Sequence, residues 1–194
     1  MSSRNNILHA IKLGKPASQP LPVLEQLQPV MYEDVATKFI ETFSSIGGQV
    51  ILVNSMEDAD IFIAGNFSST NIISNIPTIK NAALLDKNID PHELENMELA
   101  ILPAQFGVAE NGAVWMTEKE MGVRALPFIC QQLAVVLHKK DIVSNMQQAY
   151  DIVDNSSYGF AAFVAGPSKT ADIEQSLVLG AHGPKGMIIF LVDN

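Results

Sequence analysis

Glu110, Arg124 and His182 are the side chains of this sequence whose types and settings suit chemistry. Glu110 stands in Ala109-Glu110-Asn111-Gly112, and a carboxylate on a tight glycine turn is exposed and positioned as a nucleophile or base. The structural alternative is that it anchors its own turn by accepting from nearby amides, or pairs with Arg124. Arg124 follows Met121-Gly122-Val123 in a predicted loop. Its guanidinium fork suits a two-bond clamp on a carboxylate or phosphate, and a solvated surface arginine would read the same. His182, between Ala181 and Gly183, can donate to an anion, move a proton, or bond a backbone carbonyl. Two glycine turns flank these groups: Gly166-Pro167-Ser168-Lys169-Thr170, and Gly180 through Lys185 to Gly186. Gly-Pro ahead of Ser and Thr predicts a turn handing over to a short helix. Asp172 and Glu174 would fall in its first turn, with Ile173 and Leu177 on its inward face. The unpaired amides of such a turn hold anions, and Ser168, Lys169, Thr170 and Lys185 add donors or charge.

The wording of these segments is more specific than their physics. GPSKTADIE (166–174) followed by LGAHGPKG (179–186) resembles the C-terminal signature of the lactate-utilization protein C family, the short members of the LUD-domain group. GVAENGAV (107–114) resembles that family's G-I-A-E-T-G-T-L segment, and Arg124 with Leu126-Pro127 resembles the Arg and Leu-Pro that follow it. Asn111 and Ala113 stand where threonines are usual, and Lys169 where arginine is usual. The resemblance implies a fold like that of ribose-5-phosphate isomerase, glucosamine-6-phosphate deaminase and the CoA transferases. It also implies a non-cluster component of a system oxidizing L-lactate to pyruvate, working with iron–sulfur partner proteins that carry the clusters. Whether this chain is itself catalytic stays open. A second reading is a stand-alone enzyme of CoA-transferase or sugar-phosphate isomerase type. Glu110-Asn111-Gly112 resembles the Glu-Asn-Gly element of class I CoA transferases, whose glutamate attacks an acyl-CoA thioester. Turn physics and resemblance together give a site for a small carboxylate or phosphate. Glu110 is its candidate catalytic residue, and Asn111, Gly112, Arg124, Gly166, Ser168, Lys169, Thr170, His182, Gly183 and Lys185 are its candidate ligand-binding residues.

Composition narrows the field. A chain of 194 residues with 47% hydrophobic and 17% charged residues suits one globular domain with many buried strands. Twelve basic against twenty-one acidic residues give −9, which argues against a nucleic-acid or anionic-membrane surface. No apolar run approaches the ~20 residues that span a bilayer, and Arg4 is followed by no continuous apolar secretion segment, so a cytoplasmic location is expected. Cys130 is the single cysteine; it can form no internal disulfide and cannot supply the thiolates of a cluster. With no histidine or basic cluster beside it, it reads as a buried, inert thiol. His9, His92, His138 and His182 are scattered, so no metal and no cofactor are expected in this chain. Glu93, Glu95 and Glu98, with Glu118 and Glu120, read as a solvated face.

The elements that must position these residues alternate. Ser2 or Ser3 caps a first helix with Ile7, Leu8 and Ile11 on one face, and Pro16, Pro20, Pro22 and Pro29 make an extended connector. Residues 1–30 thus form a helix and connector ahead of an α/β domain over 31–194. A second helix spans Glu33 to Ile46 and ends at Gly47-Gly48. Strands are expected at Val50–Val53, Ile61–Ala64, Leu99–Leu102, Ala113–Met116, Leu133–Leu137, Phe160–Ala165 and Met187–Val192. Asp141 should cap a helix bearing Ile142, Met146, Ala149, Tyr150 and Val153. Residues 67 to 97 stay ambiguous. This alternation predicts an α/β domain on a largely parallel sheet flanked by helices, with ligands at the carboxyl ends of its strands.

Overall fold

The computed structural model describes residues 2–20, 29–68, 70–153, 158–171 and 177–193. Helix α1 (Ser3–Gly14) is capped by Ser2, whose hydroxyl accepts from the Asn5 amide at 3.4 Å. Helix α2 (Val35–Ser45) starts at Asp34, whose carboxylate accepts from the Thr37 amide at 2.9 Å. It stops where Gly47 takes φ +92°: the amides of Gly47 and Gly48 bond back to Ser44 and Phe43, closing the last turn. Phe39 and Phe43, four apart, are fully buried with their rings stacked at 5.7 Å.

Strand β1 (Gln49–Val53) leads into α3 (Met56–Asn66). The expected strand at Ile61–Ala64 therefore lies inside a helix. The Ser55 hydroxyl accepts from the Asp58 amide at 3.2 Å, while the Asp58 carboxylate accepts from the Ser55 amide at 3.1 Å. This reciprocal cap starts a helix that a four-residue apolar run cannot reveal by itself. Ala59 and Ile63 are its buried stripe. The ambiguous stretch holds β2 (Ile72–Ser74) and β3 (Ala83–Leu84), followed by β4 (Leu99–Pro103).

Next come β5 (Phe106–Val108), β6 (Ala113–Thr117), the short helices α4 (Glu118–Met121) and α5 (Leu126–Ile129), and β7 (Gln132–His138). Ile142 lies in β8 (Ile142–Val143) rather than in a helix. The following helix, α6 (Met146–Val153), starts four residues later, because Asn145 and not Asp141 caps it, accepting from the Gln148 amide at 3.0 Å. Strand β9 (Ala161–Val164) leads to β10 (Lys169–Ala171) and β11 (Leu177–Leu179), and β12 (Gly186–Val192) completes the sheet.

The central sheet has the order β1-β12-β7-β4-β2-β3, and all five pairings are parallel. Its middle strands are buried on both faces, which is why they read as unbroken apolar runs. Along β7 and β12 the side chains alternate between two cores. Leu133, Val135, Leu137, Ile189 and Leu191 share one core with Phe39 and Phe43, while Ala134, Val136, Ile188 and Phe190 share the other with Ile63. The α/β class and the parallel sheet flanked by helices stand as the alternation predicted.

A second sheet, in the order β8-β5-β6-β9, was not legible in the alternation. Its β5–β6 and β6–β9 pairings are antiparallel, and Val114 and Met116 join the core around Phe39 and Phe43. Leu177, assigned from its spacing to a helix, instead lies in a β10–β11 antiparallel hairpin that pairs Lys169 with Leu179 and Ala171 with Leu177. The rest of that expected helix, Asp172, Ile173 and Glu174, lies outside the described residues.

Candidate functional site

The end of α2 organizes one end of the molecule. Gly112 (φ +70°) and Gly166 (φ +70°) both press against it. A Cβ on Gly112 would stand 3.1 Å from the Phe43 Cα, and one on Gly166 would stand 3.1 Å from the Ile46 side chain. Ile46 thus fills the space between the β5–β6 turn and the turn that follows β9. Asn111 holds the first turn in shape, its side-chain oxygen accepting from the Ala113 amide at 3.0 Å. The second turn is fastened to the loop before β12: the Ser168 amide donates to the Pro184 carbonyl (2.9 Å), and the Gly180 amide to the Ser168 carbonyl (3.1 Å). Those two bonds bring the glycine-rich segments side by side and continue the pairing of β10 with β11. Gly183 allows the approach, since a Cβ there would lie 3.1 Å from that of Ser168.

These contacts frame a cleft of about 540 Å³ lined by Asn111, Gly166, Ser168, Lys169, His182 and Gly183, with Ile46, Pro127, Phe128 and Phe163 as its apolar walls. Gly112 adjoins it through the Asn111 turn. The Lys169 stem runs over Gly47, where a Cβ would meet Nζ at 3.7 Å, so its charge sits at the carboxyl end of α2, the negative end of the helix dipole. Among the described residues Lys169 has no carboxylate partner. Lys185 lines a neighbouring cleft of about 740 Å³ that shares Phe128, His182 and Gly183 with the first. Thr170 lies in β10. The apolar walls, Ile46 and Pro127-Phe128 above all, were not read from the sequence; the Leu126-Pro127 pair beside Arg124 was the available signal.

Three expectations need correction. The cleft lies at the amino end of the central sheet, where Gly186 and Gln132 begin β12 and β7, and not at the carboxyl ends of those strands. The reason is that the Gly180–Lys185 turn leads from the β10–β11 hairpin into the amino end of β12. Secondly, Glu110 does not line this cleft. Its carboxylate accepts from the Met146 amide at 2.9 Å, and its own amide donates to the Ser144 carbonyl at 3.0 Å, so it ties its turn to the start of α6. A separate cavity of about 300 Å³, shared with Val30, Tyr32 and Asn145, lies beside it. Thirdly, Arg124 does not join the cleft. Its guanidinium is bonded to Glu118, with Nε at 3.0 Å from Oε2, and lies over the Phe160 ring at 5.7 Å. Phe160 precedes β9 and Gly166 follows it, a separation of roughly 15–20 Å at ~3.3 Å per residue.

The carboxyl ends of β2 and β4 carry a buried polar network instead. Glu120 accepts from the Thr117 amide (3.0 Å), the Thr117 hydroxyl and the Gln105 side chain (3.1 Å), and Asn75 donates to the Glu120 carbonyl at 2.9 Å. Glu120 is thus buried rather than part of a solvated face, because those donors replace water. Burial pushes its pKa up, yet the bonds from Thr117 and Gln105 outweigh this and hold the carboxyl below the usual range. Glu118 is also held low, first by the Gly159 amide and then by Arg124. Cys130 is 2% exposed, and burial pushes its thiol up to about 12. Among the described residues no three His, Cys, Asp or Glu side chains gather as metal ligands, and no helix is long and apolar enough to cross a membrane.

Comparison with known proteins agrees with this architecture. Lactate utilization protein C of Bacillus pumilus is 29% identical over 58% of this chain and 52% of its own length. The protein of the same name from Geobacillus kaustophilus is 33% identical over 59% of this chain and 50% of its own. The chain therefore spans about half the length of the curated relatives it matches. A crystal structure of a DUF162 family protein from Deinococcus radiodurans superimposes with a TM-score of 0.64 at 16% identity, covering 84% of this chain and 99% of that one, a likeness of fold. Residues 80–192, more than half of the chain, match the LUD domain. They include the second sheet, the hairpin and every residue of the cleft but Ile46, and by that match the chain belongs to the LUD domain family.

Proposed function

We propose that this protein is a component of an L-lactate utilization system that oxidizes lactate to pyruvate beside iron–sulfur partner proteins, and that it holds a small carboxylate or phosphate in the Lys169–His182 cleft. The relatives that share its signature are named Lactate utilization protein C, which supports the physiological assignment. The observation that carries the anion reading is convergence. Asn111, Ser168, Lys169 and His182 come from distant stretches of the chain and line one cleft. Lys169 brings a cation without a carboxylate partner among the described residues, in a chain of net charge −9. A carboxylate seated there takes its charge from Lys169 and hydrogen bonds from the Ser168 hydroxyl and the His182 ring. One buried cysteine cannot ligate a cluster, so the electrons drawn from lactate belong to partner proteins. Glu110 and Arg124, held by Met146 and Glu118, position turns in this reading.

Calorimetric titration with L-lactate, pyruvate and inorganic phosphate tests the site. Lys169→Ala should weaken binding by about 1.5–3 kcal/mol, the worth of a hydrogen bond to a charged group. Unchanged affinity would move the anion elsewhere. In cells, deletion of the gene should stop growth on L-lactate, and the tagged protein should bring down iron–sulfur partners. Normal lactate growth in a strain without a paralogue would sink the physiological assignment.

A further inference from the structure

The Lys169 cleft does not end at Phe128. Phe128, His182 and Gly183 also line the neighbouring cleft of about 740 Å³, so the two hollows share a boundary. Gly183 keeps that boundary thin. A Cβ there would stand 3.1 Å from that of Ser168 and 3.9 Å from the Phe128 carbonyl oxygen, crowding the passage between them. Helix α5 supplies the apolar surface of the second hollow. Its Leu126 and Pro127 are buried, whereas Phe128 and Ile129 are turned out, 39% and 36% exposed. Pro91, Ala125 and Ala181 extend this surface. Neighbouring exposed apolar side chains on a concave wall mark a binding site, and concavity favours a small molecule over the face of a partner protein.

Size and charge describe the occupant. L-lactate fills roughly 100 Å³, about the space of three liquid waters, while clefts of about 300–1,000 Å³ bury far larger ligands. The charges are divided unequally between the two hollows. Lys169 lines the first with no carboxylate among its described walls. The second has Lys185 and Glu95, one of each sign, and its His92 is bonded to Asp90 at 2.8 Å. The first end therefore calls for an anion. The second, balanced in charge and walled with apolar carbon, calls for a neutral apolar group.

We infer that the two clefts are one site, and that its ligand is an amphipathic anion larger than lactate. This rests on the anion reading of the Lys169 cleft. The carboxylate or phosphate head meets Lys169 and the Ser168 hydroxyl, the ligand passes His182 and Gly183, and an apolar body lies on Phe128 and Ile129. An aromatic ring suits that wall best, since it can pack on the Phe128 ring. Among 2-hydroxy acids, the site prefers those whose side chain exceeds the methyl group of lactate.

Calorimetric titration of the full chain with L-lactate and L-phenyllactate tests this, because the two share a head and differ by one phenyl group. Inorganic phosphate and phenyl phosphate repeat the comparison for the other head. In the pair whose head the site takes, the phenyl compound should bind about tenfold tighter or more, as burial of an aromatic group gives. Replacing the wall, Phe128→Ala together with Ile129→Ala, should bring the two affinities to within about threefold of each other. A ratio is read, so a general loosening that weakens both compounds does not imitate the result. Both positions are solvent-exposed, and circular dichroism should report an unchanged fold. Equal affinities in the wild type, with both still weakened by Lys169→Ala, would overturn this inference and leave the anion reading standing. Binding that ignores Lys169→Ala would sink both. A wall variant that keeps the phenyl preference but no longer brings down iron–sulfur proteins would make Phe128 and Ile129 a partner surface, and would equally overturn the inference.

Discussion

Lys169 and Arg124 carry the same charge and differ in what stands beside them. Arg124 has Glu118 six residues before it, and Glu118 is itself bonded to the Gly159 amide at 2.9 Å, so the guanidinium is spent on holding α4 to the approach of β9. Lys169 lies over a glycine at a helix end and keeps its ammonium free of carboxylates among the described residues. Neither outcome is written in the residue type, which is why the sequence set Arg124 ahead of Lys169 as the anion's partner. Cys130 was legible as a buried, inert thiol, because no histidine or basic cluster stands beside it in the sequence. With its thiol pushed up to about 12, it should resist iodoacetamide at pH 8 in the folded protein and react once denaturant is added; mass spectrometry reads both states. Glu120 yields a pH prediction. Its folded pKa lies below the unfolded value, so its stabilization is fully present above the ordinary glutamate value of about 4.3 and is lost as pH falls through the lower, folded value. Glu120→Ala should cost about 1–3 kcal/mol at neutral pH by orphaning Thr117 and Gln105. It should also flatten the acid limb of a denaturation series below about pH 4.3, and a variant with an unchanged acid limb would remove Glu120 as the cause.

Elements were legible where local chemistry and burial agree, and missed where a cap or a clamp decides. The helical spacing of Val35, Phe39 and Phe43 and the Gly47-Gly48 stop give α2 to within two residues of its ends, while the Asp34 cap that sets its start went unread. Ser55 and Asp58 spell the cap of α3, but the four-residue apolar run after them reads equally as a short strand. The β10–β11 hairpin could not be read at all, since the two bonds that continue its pairing join Ser168 to Pro184 and to Gly180 across the hairpin. Two substitutions separate these influences. Ser55→Ala should cost about 1 kcal/mol, an ordinary loss of an N-cap, leaving the cleft intact. Gly166→Ala places a side chain at φ +70° and 3.1 Å from Ile46; the left-handed backbone alone costs roughly 1–2 kcal/mol. Urea unfolding should therefore show comparable losses, while anion binding weakens only in Gly166→Ala. Equal binding by the two variants would show that the turn does not shape the site.

At the scale of the molecule, the parallel sheet was legible and the second sheet was not, and one cause explains both. Leu133–Leu137 and Met187–Val192 are buried on both faces, so hydrophobicity alone marks them. Ala113–Met116 is as apolar and as buried, and nothing in its composition says that it pairs with Phe106–Val108 and Ala161–Val164 instead of with the central strands. The consequence for the site is large. Because β6 and β9 belong to a separate sheet, the turns at Gly112 and Gly166 meet on Ile46 at the end of α2, and the cleft forms between them and the loop before β12. Its walls therefore depend on how the second sheet rests on the first, through Phe39, Phe43, Val114 and Met116. Hydrogen exchange should resolve the two layers. Amides of β7 and β12, each with a parallel neighbour on both sides, should exchange last, with the free energy of global unfolding. Those of β5 and β6 should exchange earlier if the small sheet opens as a unit, and a bound carboxylate or phosphate should slow them through Asn111 and Ser168 without changing β7. Ligand protection confined to the carboxyl ends of β2 and β4, around Asn75 and Gln105, would place the anion at the opposite end of the sheet and empty the Lys169 cleft of its assigned role.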